Sequence, residues 1–286
     1  MGTSDKIGED LKAQRFQMLQ DIAEELSGEI NFPTSFNVVV RLRELLDDQD
    51  WTLDEVAVAL SAEPLVASRL VGMANSAAYN TGGAEIMDVK RAVMRLGINL
   101  VRTTALMVAT SQIRNALSIS VFSDLSQRLW EHSLRTASAA YVISKHHSSY
   151  SPDEAMLAGM IHDIGAFYML YRASQYDELC ERPDTVKYMI MQWHENIGYS
   201  LLGALGMPEK IAEAIREHDQ PRPVPTNMRN LGDIVYVANL LAGGAFEWQY
   251  MDNTITDEMV ASLDTRFSDL GEEIDQHEAE LRAIFA

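Results

Sequence analysis

The sequence predicts an all-α protein built from two helical subdomains, and three observations carry that prediction. Apolar side chains recur at intervals of three and four along nearly the whole chain, the period of an amphipathic helix. Helix-start signatures recur, above all Thr52-Leu53-Asp54-Glu55 and Ser151-Pro152-Asp153-Glu154. No run of alternating residues joined by an Asn-Gly or Asp-Gly turn marks a hairpin. At 286 residues the chain matches a prior of about two units of roughly 150 residues each.

The elements follow in order. Residues 11–26 form an amphipathic opening helix that ends near Ser27-Gly28, and Asn31-Phe32-Pro33-Thr34 is a break. A second helix covers 36–46. Thr52 caps a third through Leu60, with Glu55 completing a capping box. Glu63-Pro64 opens a fourth to about Ala78, because a proline is tolerated in a first turn that has no use for its N–H. The loop 80–83 precedes a helix through Val89, Ala92, Val93 and Leu96, which Gly97 stops, and 100–113 follows.

The second half has longer helices. Residues 122–144 place Thr136, Ala139 and Ala140 on the same side as His132. Ser151 caps a helix carrying Ala155, Ala158, Gly159, His162 and Asp163. Residues 184–205 form another, stopped by Gly206; Pro208 opens one that ends near His218. After the proline-rich 221–225, a helix over 233–241 breaks at Gly243-Gly244, and 256–284 is an acidic amphipathic tail that packs on the body or on a partner. The domain reading is 1–30 N-terminal helix, 31–117 first helical subdomain, 118–246 second helical bundle, and 247–286 acidic tail.

Composition narrows the function classes. Lys and Arg number 23 against 42 Asp and Glu, a formal charge of −19, which argues against a nucleic-acid surface or an anionic membrane as partner. Cys180 is the one cysteine, so an intrachain disulfide and a multi-thiolate metal site are excluded, and any metal must use histidine and carboxylate. No apolar stretch follows Met1, and 158–171 is interrupted by His162 and Asp163, so a cytoplasmic location is expected.

Four of the seven histidines fall in predicted helices of one region: His132, His162, His194 and His218, spaced by 30, 32 and 24 residues. Asp163 follows His162, and neighbours on a helix diverge by about 100°. Such a pair serves one ion lying between the two directions, or two adjacent ions. Imidazole mixed with carboxylate suits zinc, iron, manganese or nickel. In a hydrolase such ions lower the pKa of bound water and polarise a phosphoryl oxygen. The competing account is that these histidines are packed core residues held by hydrogen bonds.

Other features are set aside. His194-Glu195 lacks the second histidine of a zinc-protease helix. His146-His147 reads as a solvated helix end, His277 as surface, Cys180 as inert, and the methionines Met156, Met160, Met169, Met189 and Met191 as core filling.

Met160-Ile161-His162-Asp163-Ile164-Gly165 resembles the His-Asp core of the HD superfamily of metal-dependent phosphohydrolases. Phe32-Pro33, Glu63-Pro64-Leu65, Ala74-Asn75-Ser76-Ala77-Ala78-Tyr79 and Ala92-Val93-Met94-Arg95-Leu96-Gly97 resemble successive signatures of the HDOD domain, the HD-related output domain of bacterial signalling proteins. His194 with Gly198, Met207-Pro208 and His218 continue the likeness, which covers residues 31–241.

The resemblance implies His132, His162 and Asp163 as metal ligands, with His162 and Asp163 central to any catalysis. The late aspartate of the superfamily falls at Asn239, a neutral and weak ligand. His194 and His218 resemble the extra ligands of two-metal relatives, and His218-Asp219 stands where those often have paired histidines. The Tyr-Pro that follows the His-Asp motif in those relatives is replaced by Ala166-Phe167. Implied is a bacterial signal-transduction module that acts through protein partners and is non-catalytic or weakly active. The alternative is a metal-dependent phosphohydrolase acting on a nucleotide or other phosphate ester.

Overall fold

A computed structural model describes residues 9–27, 37–117, 120–220, 222–244, 263 and 265–285, and every regular element among the described residues is helical. The first half holds α1 (Glu9–Ser27), α2 (Asn37–Asp47), α3 (Leu53–Ser61) and α4 (Pro64–Asn75). Thr52 accepts the Glu55 N–H while the Glu55 carboxylate accepts the Thr52 N–H, so the capping box is complete. Pro64 sits in the first turn of α4, but that helix ends at Asn75, short of the predicted Ala78. Asn75 turns its amide onto Val71 O and Ile86 O and accepts the Ile86 N–H, so its side chain bonds the next loop.

Helix α5 (Val89–Leu117) is broken at Gly97, with φ 75° and ψ 162°, where the sequence places a stop. Among the described residues it is the one helix long and apolar enough to cross a membrane. Most of its apolar residues, including Leu100, Val101, Leu106, Met107 and Ile113, are buried in the protein core, while Met94 is exposed.

The second half comprises α6 (Ser123–His147), α7 (Pro152–Ile161), α8 (Ile164–Ala173), α9 (Asp177–Cys180), α10 (Pro183–Ala204), α11 (Glu209–Ala214) and α12 (Leu231–Leu241). Helix α6 packs on α7 and α12, and α10 packs on α8. The tail helix α13 (Gly271–Phe285) lies along α6, where Arg135 reaches Asp275 and Glu278 and Lys145 reaches Glu273. One continuous apolar core joins both halves. Met156, Met160, Met169 and Met189 lie inside it and Met191 packs against its edge, as gap-fillers.

Several expectations are corrected. His162 and Asp163 are not on one helix: α7 ends at Ile161, His162 caps it, and Asp163 precedes α8. His218 is not helical either, since α11 ends at Ala214 and His218 sits in the turn beyond. His277 is not surface: its ring stacks on Tyr141 at 4.3 Å and meets Ser138 Oγ at 3.2 Å. His146 is paired with Glu273 at 2.7 Å rather than simply solvated. Cys180 is half-buried, and burial pushes its thiol pKa up, which fits an inert role. Phe32-Pro33, Pro221 and the start of the tail at Thr256 lie outside the described residues.

Candidate metal centre

Two close helix contacts assemble the centre. At Gly159 on α7 a Cβ would come within 2.9 Å of Thr136 O and 3.0 Å of Ala140 Cβ on α6, so the bare backbone lets His132 approach His162. At Gly165, on the first turn of α8, a Cβ would overlap the His194 carbonyl oxygen and lie 2.6 Å from Gly198 N on α10. That contact brings His194 to the His162-Asp163 turn. The break between α7 and α8 removes the expected divergence of neighbours: Asp163 has φ −98° and ψ 17°, and His162 Nε2 lies 3.2 Å from Asp163 Oδ2.

All six candidate residues converge, and all are buried. Exposure is 6% for His132, 0% for His162, 1% for Asp163, 2% for His194, 1% for His218 and 2% for Asn239. Donor atoms of His132, His162 and Asp163 lie within 4.8 Å of one another, and so do those of Asp163, His194 and His218. Asp163 belongs to both sets, with Oδ2 toward His162 and Oδ1 3.3 Å from His218 Nε2 and 3.5 Å from His194 Nε2.

The ring orientations are fixed by backbone carbonyls. His162 Nδ1 donates to Gly159 O at 2.7 Å, His194 Nδ1 to Ile190 O at 2.8 Å and His218 Nδ1 to Ile215 O at 2.7 Å. A carbonyl only accepts, so Nδ1 carries a proton in each ring and Nε2 is the ring atom presented to the centre. His194 Nε2 faces His218 Nε2 at 3.3 Å, and His162 Nε2 faces His132 Nε2 at 3.2 Å. Two lone pairs at the first distance repel unless a cation, a proton or a metal ion, lies between them.

The electrostatics point the same way. Burial pushes the Asp163 carboxyl up, but His162 and His218 outweigh it and hold the group well below the ordinary carboxylate range. Burial lowers the His218 pKa, yet Asp219, Asp163 and Glu195 overcome it and raise the ring to about 10. Burial, with His162 adding to it, takes His132 down to about 4. Asp163 Oδ1 is buried without a hydrogen bond of good geometry. Ring Nε2 atoms aimed inward, an anionic carboxylate with an unsatisfied oxygen, and carbonyls orienting the rings from outside together fit a cation, and a divalent ion would displace the proton that His218 otherwise holds there.

Glu195 contributes beyond the six candidate residues. Its carboxylate accepts the Asp219 N–H at 3.1 Å and the Gln220 Nε2 at 3.3 Å, bracing the turn that carries His218. Its adjacency to His194 was the available signal.

The HDOD domain family model matches residues 32–221. A candidate metal-dependent phosphohydrolase from Shewanella amazonensis SB2B has a similar structure, with a TM-score of 0.70 at 20% identity over 96% of this chain and 100% of that one. An HDOD domain protein of unknown function from Geobacter sulfurreducens gives 0.52 at 22% identity, covering 91% of this chain and 98% of its own. A candidate signal transduction protein from Marinobacter aquaeolei VT8 gives 0.57 at 17%, covering 99% of this chain and 67% of its own. At these identities the likeness establishes the fold. An uncharacterized protein of Treponema pallidum (strain Nichols) is 20% identical over 245 residues, 81% of this chain, and the chain spans 45% of that relative's length. With the family model matching more than half of the chain and the helical halves arranged as described, the chain belongs to the HDOD domain family.

Proposed function

We propose that the chain is a regulatory module of bacterial signal transduction whose buried histidine–carboxylate centre holds divalent metal and works without turnover. The observation that carries the non-catalytic reading is burial: the six candidate side chains expose at most 6% of their surface. A phosphate ester must reach an open position on the bound ion, and the side chains that would surround that ion lie in the interior of the bundle. The uncharged Asn239 works in the same direction by lowering the negative charge available to an ion. His132, His162, Asp163 and Asn239 would hold one ion, and Asp163, His194 and His218 a second. Family membership and the description of the Marinobacter protein as a candidate signal transduction protein support the signalling role, and action through protein partners is part of the proposal.

A second reading, a metal-dependent phosphohydrolase acting on a nucleotide or other phosphate ester, is favoured by the donor set and by the likeness to the Shewanella protein. A divalent ion at such a centre supplies Lewis acidity toward a phosphoryl oxygen. In that case His162 and Asp163 orient it, while the Nδ1–carbonyl bonds keep the Nε2 atoms aimed inward.

Metal analysis of protein purified without chelator, together with phosphate-release assays over added Mn2+, Fe2+, Zn2+ and Ni2+, separates the readings. Bound metal that is lost in His162→Ala, with no phosphate released from nucleotides or simple esters, is the expected result. Metal-dependent release that disappears in the same variant overturns the non-catalytic reading. Absence of bound or bindable metal overturns the metal centre.

A further inference from the structure

The orientation of the Asn239 amide follows from its partners. Nδ2 donates to the His218 carbonyl oxygen at 3.2 Å, which can only accept, so Oδ1 faces His132 Nε2 at 2.9 Å. The other Nδ2 hydrogen goes to Asp219 Oδ1 at 3.0 Å. Asn239 therefore offers the first cluster a neutral oxygen and holds a carboxylate against the second. From there Asp219 Oδ2 lies 3.5 Å from His194 Nε2, and Asp219 Oδ1 lies 3.7 Å from His218 Nε2. The Asp219 side chain is only 11% exposed.

The backbone is arranged to aim this residue inward. Glu217, two positions earlier, adopts φ 60°, and among the described residues it alone does so without being glycine. Glu195 then accepts the Asp219 N–H, so the turn is tied to α10 beside His194. A solvated aspartate needs none of these constraints. The unsatisfied Asp163 Oδ1 faces the same space, between His194 and His218.

We propose that Asp219 is a metal ligand of the cluster formed by Asp163, His194 and His218, and that it supplies there the carboxylate which Asn239 does not supply to His132 and His162. The inference rests on the metal-holding reading above. Its consequence is an asymmetric centre. The His194–His218 cluster has two carboxylates to neutralise a divalent cation. The His132–His162 cluster has a share of Asp163 and a neutral amide, so the ion bound beside Asp219 is the tighter one.

The test is titration of the full chain, stripped of metal and then supplied with Mn2+ or Zn2+, with affinity and stoichiometry read by calorimetry. Asp219→Asn and Asp219→Ser are compared with wild type after their helical content is checked; two variants guard against a folding failure of either. Loss of the tightest ion by more than about 100-fold is expected, because a residue that only braces a ligand from outside costs about 10–100-fold. Weaker binding at any remaining site should be unchanged within a few-fold. A loss of 100-fold or less in a folded variant overturns the assignment of Asp219 as a ligand. Wild type that binds no metal removes the underlying reading itself, a failure distinct from normal wild-type binding that survives in the variants.

Discussion

Substituting Gly165 by alanine tests whether the α8–α10 contact sets the geometry of the centre. The new Cβ would overlap the His194 carbonyl oxygen and sit 2.6 Å from Gly198 N and 3.0 Å from Gly198 Cα. All three are backbone atoms, so no side chain can swing aside. An ordinary contact needs about 3.4 Å or more, so the helices must part by roughly 0.8 Å at Gly198, and such overpacking costs about 1–3 kcal/mol. Alanine's better helix propensity returns at most about 1 kcal/mol. Metal–ligand distances tolerate only about 0.2 Å, so a displacement of that size at His194 should also weaken metal binding by about tenfold or more. Gly203→Ala, on the same α10 but with nothing within 4 Å of its Cβ, is the control and should be neutral or stabilising. Urea unfolding of the metal-free proteins and Zn2+ titration of the loaded ones provide the readouts. A Gly165→Ala protein as stable as wild type within about 0.5 kcal/mol, with unchanged affinity, would refute the claim that bare backbone contact at this glycine positions His194.

Two further outcomes follow from other parts of the fold. Thr52→Ala removes one arm of the capping box and should cost about 1 kcal/mol in urea unfolding; no loss would mean that α3 is held by packing alone. His277 is lowered from 6.5 to about 4 by burial, so its neutral ring adds stability that is complete above pH 6.5 and lost as pH falls toward 4. Between pH 7 and 4, wild type should lose about 2–3 kcal/mol more than His277→Phe, which keeps a ring against Tyr141 but does not titrate. Parallel pH profiles for the two proteins would contradict a buried neutral imidazole at this position.

Elements whose ends are written in local chemistry were legible from sequence. Thr52 and Ser151 cap their helices through their own side chains, and Gly97 breaks α5 because it takes a positive φ. The candidate site was legible as a residue set, since His132, His162, Asp163, His194, His218 and Asn239 all converge. Its backbone was not. Helical periodicity continues on both sides of His162-Asp163, and no glycine or proline between Met160 and Ile164 marks the break between α7 and α8. The stretch leading to His218 is likewise built of good helix formers, yet Glu217 leaves the helical region, and His218 and Asp219 meet the site from a turn. His277 was misplaced because an acidic helix looks solvated until Tyr141 and Ser138 on α6 are seen to cover its ring.

The carbonyl bonds that orient the histidines also bear on how the centre forms during folding. His162, His194 and His218 are aimed by acceptors only three or four residues earlier in the chain. Those bonds need only a single helical turn to close, whatever the distant segments do. His132 differs, because its Nδ1 faces Ala242 O from 110 residues away and waits for α6 and α12 to dock. Three imidazoles therefore depend for their orientation on local bonds alone, and the fourth depends on the long-range contact that closes the bundle.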